Sequence, residues 1–206
     1  MNTRTTIIRK ALAASDEFWK AWHRPDVCVA ACRALHVAMR EVGINLEPMV
    51  ARARFLNQLM FDAFDNGLLD TFTPEQRAAW MEETGAWGVG LGYLDPKIQL
   101  GFEPMAPNSW GKHLALIDRT GGLLIDPSAG QASRPQKKIV VPQTVVIQNT
   151  PAEFLAGRSE GSIQLGATVA SYRLFPAEDG SWSASPDWRD PKRFKGLVKK
   201  IIKAVR

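Results

Sequence analysis

Residues 27–42, VCVAACRALHVAMREV, place the strongest constraint on how this chain folds. Apolar side chains recur there at spacings of three and four residues, which is the pattern of a helix, and Gly43 follows as a terminator. Because so few positions are polar, we expect the helix to lie in the interior with other elements around it. Both cysteines of the chain, Cys28 and Cys32, lie on this helix.

Other patterns place helices early in the chain and strands later. Helical spacing over 5–22 precedes the central helix, and Thr73 followed by Pro74 begins a short helix with a capping pattern. The sequence DRTGG marks a tight turn between two strands of a hairpin. Alternating apolar residues predict strands at 49–55, 113–117, 123–125, 139–147 and 168–175, and Pro142 interrupts the fourth of them. The order predicts an α+β domain in which the cysteine helix packs on an antiparallel sheet.

Basic charge is concentrated at the C-terminus. The last 18 residues carry eight cations and one carboxylate, a net charge of +7, whereas the whole chain has +5. Apolar residues recur at helical spacing from Phe194 to Val205 with lysines opposite, so we expect an amphipathic helix docked on the body. We therefore divide the chain into one domain, 1–180, and an exposed linker with a basic helix, 181–206. The basic side would also suit nucleic acid or an anionic membrane.

The sequence contains no signal for membrane insertion or secretion. No run approaches the roughly 20 apolar residues that cross a bilayer. Charged residues interrupt the N-terminal stretch before it could form a signal-peptide core, so we expect a cytoplasmic protein without a transmembrane segment. Two cysteines do not form a disulfide framework, and a bridge within one helix would strain it. Reduced thiols are the expectation.

Three residues suggest nucleophilic chemistry. Cys28 lies in the first turn of the central helix, where unpaired N–H groups and the helix dipole favour a thiolate. His113 opens one strand of the predicted hairpin and Asp126 ends the other, and paired strands lie about 5 Å apart. An imidazole that takes the thiol proton, oriented by a carboxylate, would complete a Cys-His-Asp triad. The alternatives are a core cysteine, an ordinary strand histidine and a turn-forming aspartate before proline. Cys32, inside the helix, is expected to be a core residue, and Ser128 and Gln131 are expected to serve turn geometry.

Metal and nucleotide sites are the competing interpretations. Cys28, Cys32 and His36 follow one another at intervals of four, with His23 upstream, but zinc ligands usually come from two elements rather than along one apolar helix. The sequence GVGLG at 88–92 lacks the Lys-Ser/Thr of a phosphate-binding loop, so we interpret its glycines as conformational freedom near the site. We therefore predict neither metal nor cofactor. The stretch 87–112, rich in glycine and aromatic residues, is expected to form a long loop or an irregular strand that lines the site.

Three segments together resemble the transglutaminase-core branch of the papain-like cysteine enzymes, to which the arylamine N-acetyltransferases are also similar. They are CVAACRALHVAMREVGI, GKHLALI and LLIDPSAGQ, in the order cysteine helix, histidine strand and aspartate strand. The resemblance covers about residues 25–131 and implies a papain-like or transglutaminase-like fold. It also implies Cys28 as nucleophile, His113 as general base and then acid, and Asp126 as the group that orients His113.

Two hypotheses for function follow. The first is cysteine-dependent acyl transfer on a peptide, a protein or a small amide or ester, with hydrolysis favoured over transfer to an amine because water is always available. The backbone N–H of Cys28 would bind the oxyanion, and the second donor would come from Trp22, His23, Asn108 or Trp110. The second hypothesis is a catalytically silent binding module of the same fold, which uses its basic C-terminal helix to contact nucleic acid or an anionic surface.

Overall fold

The computed structural model describes residues 3–22, 27–92, 112–177, 180–190 and 192–206. Within these ranges the chain forms seven α-helices and seven β-strands, with a few short 3-10 turns. The helices are α1 (Thr3–Lys20), α2 (Val27–Arg40), α3 (Gln58–Asp65), α4 (Pro74–Thr84), α5 (Ala152–Leu155), α6 (Pro186–Arg189) and α7 (Lys195–Val205). The strands are β1 (Glu47–Asn57), β2 (Gly88–Leu91), β3 (His113–Asp118), β4 (Leu123–Asp126), β5 (Val145–Ile147), β6 (Glu160–Leu165) and β7 (Thr168–Leu174).

All seven strands belong to one antiparallel sheet. Its order is β5-β4-β3-β1-β7-β6, and β2 also pairs with β1. The α+β class and the antiparallel sheet predicted from the sequence are therefore confirmed. In the described part of the chain, no helix has both the length and the apolar content that crossing a bilayer requires.

The central strand β1 carries two partners along one edge. Its first half, Glu47–Ala51, pairs with β3, and its second half, from Ala53 onward, pairs with β2. The opposite edge of β1 pairs with β7 over Ala51–Asn57. Strands β2 and β3 therefore meet β1 one after the other, so that Leu91 and His113 are aligned with residues two apart on β1.

The sheet separates two apolar cores. On one face, alternate residues of β3 and β4, such as Leu114 and Ile125, pack against α1, α2 and α7. On the other face, Ala115 and Leu124 pack with Phe154 and with the segment that follows β4. This alternation is what a strand with both faces covered requires, since successive side chains point to opposite sides. All six residues of β3 are buried, so the strand lies in the middle of the molecule.

Helix α2 is as deeply placed as its composition predicts. Ten of its fourteen residues are buried, and it packs on β3 and on α7. Gly43 ends the turn that follows with a φ of +77°, a left-handed conformation that glycine adopts without a steric penalty. Helix α4 begins with the predicted capping box, in which the Thr73 side chain and the Gln76 side chain each accept from the other's backbone N–H.

The C-terminal segment packs on the helical layer. Helix α7 buries Leu197 and Ile201 and contacts α1 and α2, as its amphipathic pattern predicts. The stretch before it differs from the exposed linker predicted at 181–188. Two tryptophans, Trp182 and Trp188, pack edge to face with ring centroids 4.4 Å apart and lie partly buried against the core. Large aromatic side chains favour burial over a solvated linker, which explains the difference.

Two further predictions concern interrupted or irregular stretches. The strand predicted over 139–147 is interrupted near Pro142, as expected, since proline cannot donate to a sheet: Ile139 forms an isolated bridge with Arg134, and a regular strand is present at Val145–Ile147. The stretch 87–112, predicted as a long loop or irregular strand, begins with a strand, β2. Residues 93–111 of that stretch lie outside the described residues.

Candidate active site

The cysteine of interest lies at the second residue of α2, close to the first residue of β3. One turn further along the helix, the Cys32 thiol donates to the backbone oxygen of Leu114 at 3.3 Å. Cys28 precedes Cys32 by one helical turn, and His113 immediately precedes Leu114 on β3. Because Cys32 contacts Leu114, Cys28 lies near the end of β3 that begins with His113. Both thiols are free and buried, but Cys28 keeps 4% of its surface exposed and Cys32 keeps none.

The hairpin of β3 and β4 brings His113 and Asp126 together as predicted. Leu116 pairs with Ile125, and the same register continued by one residue places Asp126 opposite Ala115. Asp126 is thus a diagonal neighbour of His113 on the same face of the sheet, within reach of a long side chain. His113 Nε2 lies 2.8 Å from Asp126 Oδ2, and both residues are almost fully buried.

Asp126 accepts four hydrogen bonds, which is unusually complete support for one carboxylate. Its Oδ2 accepts from His113 Nε2 and from the hydroxyl of Tyr172 at 3.0 Å. Its Oδ1 accepts from the backbone N–H of Ser128 at 3.0 Å and from the Ser128 hydroxyl at 3.2 Å. A buried carboxylate is stable only when such donors replace water. The short turn after Asp126-Pro127 supplies two of the four donors, both from Ser128. Strand β7 supplies the third, the Tyr172 hydroxyl, and β3 supplies the fourth, His113 Nε2.

Tyr172 reaches Asp126 because β1 carries small side chains between them. On β1, Ala53 pairs with Tyr172 and Ala51 pairs with His113. Both alanines are fully buried and share the core that contains Tyr172. Their methyl groups leave room for the tyrosine ring to extend across β1 to the next strands. This support was not predicted from the sequence, because Tyr172 follows a strand pattern that is indistinguishable from ordinary core.

The surroundings set the charge of the His113–Asp126 pair. Burial would lower the pKa of His113, but the charge of Asp126 and its hydrogen bond, with further contributions from Cys28, raise that pKa to about 10. Burial would raise the pKa of Asp126, yet His113, Ser128 and Tyr172 hold it below its ordinary value. At neutral pH the ring is therefore an imidazolium and the acid a carboxylate.

Burial beside this carboxylate also fixes the protonation of two neighbours. It raises the pKa of Tyr172 well above its ordinary value, and the charge of Asp126 adds to the effect, so the phenol remains a donor. Burial likewise raises the pKa of Cys32, with the Cys28 sulfur and Asp126 adding to the effect. Cys32 therefore remains a neutral thiol at neutral pH. Its position agrees with the core role predicted for it.

Gly92 holds the backbone close to His113. It has a φ of +79°, and a Cβ there would come within 2.6 Å of the Ala51 oxygen and 2.9 Å of the His113 nitrogen. Both contacts are with backbone, which yields little. A glycine is therefore required directly after β2, where the chain passes the backbone of His113. The pattern GVGLG, interpreted from the sequence as conformational freedom, has this specific steric purpose at its last glycine.

Gln131 approaches the imidazole of His113 at the ring nitrogen that Asp126 does not contact. Its Nε2 lies 3.4 Å from His113 Nδ1 and 3.4 Å from the Ser128 hydroxyl oxygen. The sequence interpretation gave Gln131 and Ser128 only a role in turn geometry. Their position in LLIDPSAGQ, within five residues of Asp126, is the signal that could have indicated more.

A cleft of about 290 Å³ opens at this side of the site. Val27, which precedes Cys28, and Gln131, which approaches His113, both line it. Two tryptophans, Trp19 and Trp22, form an aromatic wall, and Lys20 contributes one positive charge. The cleft is thus lined by a residue next to Cys28 in sequence and by a residue next to His113 in space.

Other sequence-based predictions are placed as follows. His36 Nδ1 lies 2.7 Å from the Leu46 oxygen, and its ring stacks obliquely near Trp188, so it has partners other than a metal. Among the described residues no group of three or more His, Cys, Asp or Glu side chains is arranged to hold a metal ion. Of the four side chains considered as oxyanion donors, Trp22 lines the cleft. His23, Asn108 and Trp110 lie outside the described residues.

Comparison of the chain with protein-family models, with curated proteins and with solved structures found no match. The function of the site therefore rests on its own residues and their geometry.

Proposed function

We propose that the protein is a cysteine-dependent acyl-transfer enzyme, papain-like or transglutaminase-like in fold, which hydrolyses an amide or an ester. Cys28 would act as nucleophile, His113 as proton carrier and Asp126 as the group that orients the ring. The single observation that carries the proposal is the buried His113–Asp126 pair, in which a four-fold hydrogen-bonded carboxylate holds an imidazolium at the end of the cysteine helix.

The pair has features that a structural ion pair does not need. Replacing a buried ion pair with apolar residues is often neutral or stabilising, so such a pair is weak evidence for stability alone. Here one ring nitrogen, Nε2, is occupied by Asp126. The other nitrogen, Nδ1, lies 3.4 Å from Gln131 Nε2 and would be the one that exchanges a proton with Cys28. A perturbed histidine beside a cysteine and a cleft is the arrangement expected of a catalytic site.

The reaction would follow from this arrangement. In the proposed reaction Cys28, which lies beside His113 at the N-terminal end of α2, reacts as a thiolate. The thiolate attacks the carbonyl carbon, and the N–H groups at the start of α2, including that of Cys28, lack intrahelical acceptors and would bind the oxyanion. His113 then gives its Nδ1 proton to the leaving amine or alcohol, and a thioester remains on Cys28.

Water completes the cycle. Neutral His113 takes a proton from a water molecule that attacks the thioester carbon, and the carboxylic acid leaves as the thiolate and imidazolium are restored. An amine in place of water would give a transferase by the same steps. The aromatic wall of the cleft suits an apolar or aromatic acyl group, because Trp19 and Trp22 offer flat apolar surface.

The first test is selective alkylation of the intact protein with iodoacetamide at pH 6, followed by mass spectrometry. An ordinary thiol is less than about 1% ionised at that pH, so rapid labelling identifies an activated one. We expect labelling at Cys28 and not at Cys32. His113→Ala should slow it by about a hundredfold, within the range that a positioned base supplies, whereas the control His36→Ala should leave it unchanged.

A second measurement detects the acyl-enzyme. p-Nitrophenyl acetate should release one equivalent of nitrophenol in a rapid burst and leave an acetyl group on Cys28, and Cys28→Ala should show neither. Steady release after the burst indicates hydrolysis, and faster release on adding an amine indicates transfer. Equal labelling of both cysteines that is insensitive to His113→Ala, with no burst, would overturn the proposal.

The silent binding module remains the second candidate, because α7 leaves its lysines exposed after docking its apolar side. It predicts no thiol activation at Cys28, together with salt-dependent retention on heparin or nucleic acid that is lost when residues 189–206 are deleted. Retention without labelling would favour the module, and labelling without retention would favour the enzyme.

A further inference from the structure

A second concave site lies away from the candidate active site, between α2 and α7. It has a volume of about 400 Å³, within the size range of pockets that hold small ligands. Its lining comes from the C-terminal half of α2, from the turn before α7 and from one side of α7 itself. The proposed catalysis leaves this cleft unused.

The floor of the cleft is apolar. Side chains from both helices form it, and they are partly or fully buried: Ala34, Val37, Phe194, Val198 and Ile202. They continue the core that holds α7 on α2. A floor of this kind gains free energy when an alkyl chain covers it, at about 25 cal/mol for each Å² removed from water.

The walls of the cleft are basic. Five cations line it, namely Arg33, Arg40, Lys192, Lys195 and Lys199. Two carboxylates, Glu41 and Asp190, also line it, so the net charge of the lining is +3. In the described ranges none of these five cations forms an ion pair with a carboxylate. Arg33 instead stacks on the Trp188 ring at 5.3 Å, and its pKa is lowered by burial and by the nearby Arg40.

The geometry points to a binding site for a single-chain anionic amphiphile, a molecule with one alkyl chain and a phosphate head group. The apolar floor would take the chain, and the uncompensated cations at the rim would take the phosphate. A nucleic acid is a poorer fit, because an extended polyanion needs a long basic groove rather than a single apolar surface with cations around it. This inference does not depend on the proposed catalysis, since no residue of the cleft belongs to the triad.

The test uses the full chain and three probes at concentrations below micelle formation. Dodecyl phosphate carries both features, inorganic phosphate has only the charge, and dodecyl maltoside has only the chain. Isothermal titration calorimetry should give saturable binding of dodecyl phosphate at one site. The other two probes should bind at least about tenfold more weakly, because each lacks one of the two contacts.

Two double variants of α7 provide a matched comparison. Lys195→Gln with Lys199→Gln removes two cations from the cleft, whereas Lys200→Gln with Lys203→Gln removes two exposed cations of the same helix that do not line it. The first pair should weaken dodecyl phosphate binding about fivefold, and the second should leave it unchanged. Val198→Thr keeps the side-chain shape but adds a hydroxyl to the floor, and it should weaken dodecyl phosphate without affecting inorganic phosphate.

Three outcomes would overturn the inference. Equal weakening by both lysine pairs would mean diffuse attraction to the whole helix. Equal affinity for dodecyl maltoside or for inorganic phosphate would mean that only one of the two features is used. Tighter binding of a short single-stranded oligonucleotide than of dodecyl phosphate would assign the surface to nucleic acid instead. Absence of selective iodoacetamide labelling at Cys28, by contrast, would refute the proposed catalysis and would not bear on the amphiphile site.

Discussion

The charge on His113 provides a quantitative test of the site that needs no substrate. An isolated histidine has a pKa near 6.5, whereas His113 has a pKa of about 10. The wild-type ring should therefore remain an imidazolium throughout the range from pH 6 to pH 9, and it should lose its proton only as the pH rises through about 10. Two-bond ¹H–¹⁵N correlation spectra of the histidine rings distinguish the charged from the neutral form directly.

The size of the effect follows from what holds the charge. Burial is the largest influence and opposes it, the Asp126 carboxylate comes next and favours it, and Cys28 contributes less. Asp126→Asn keeps the shape but removes the negative charge. We expect the pKa of His113 to fall from about 10 to about 6.5 or below, equivalent to roughly 5 kcal/mol of interaction. Cys28→Ala should lower the pKa by a smaller amount.

His36 serves as the control, because it lies on α2, the helix that carries Cys28. Burial lowers the pKa of His36, so its resonances should titrate below pH 6.5 in every variant. The wild-type titration alone carries most of the test, even if Asp126→Asn fails to fold. A wild-type His113 that titrates near 6.5, or a larger effect from Cys28→Ala than from Asp126→Asn, would refute the assignment of Asp126 as the group that holds the ring charge.

Two further substitutions test the support of the site. Tyr172→Phe removes one of the four donors to Asp126, so it should raise the pKa of that acid and lower the free energy of unfolding in urea by about 1.5–3 kcal/mol. Acid unfolding should then occur at higher pH, and an unchanged acid transition would contradict the hydrogen bond. Gly92→Ala should destabilise the protein by at least about 2 kcal/mol more than Gly166→Ala, because both glycines have positive φ but only Gly92 faces backbone atoms within 3 Å. Equal losses of stability in thermal unfolding would show that this close approach is unimportant.

Local patterns were sufficient for much of the fold. The central helix was predictable because apolar spacing and Gly43 agree, and the β3–β4 hairpin because DRTGG joins two alternating runs. Strand β6 was missed because its residues alternate between exposed and half-buried and carry few apolar side chains. It is held by a local hairpin, in which Gly166 and Ala167 join it to β7 and Leu165 pairs with Thr168. The pairing of β7 with β1, as of Leu174 with Ala51, is by contrast a long-range contact that no window of sequence contains.

The same distinction applies to the site. Asp126 lies 13 residues from His113, within one hairpin, so turn chemistry alone brings the two together. Tyr172 lies 46 residues from Asp126 and reaches it only because β7 pairs with β1, whose alanines leave space. The sequence pattern was therefore sufficient to predict that His113 and Asp126 meet, whereas the group that completes the hydrogen bonding of Asp126 depends on the order of strands in the sheet.

The consecutive pairing of β2 and β3 along one edge of β1 has a consequence for how the chain tolerates insertions and deletions. Backbone pairing holds Leu91 and His113 opposite positions two residues apart on β1. The free energy of closing a segment between fixed ends grows only slowly with its length, by about 0.6 kcal/mol for each doubling. A change in the number of residues between the two strands should therefore leave the register of both strands on β1 unchanged.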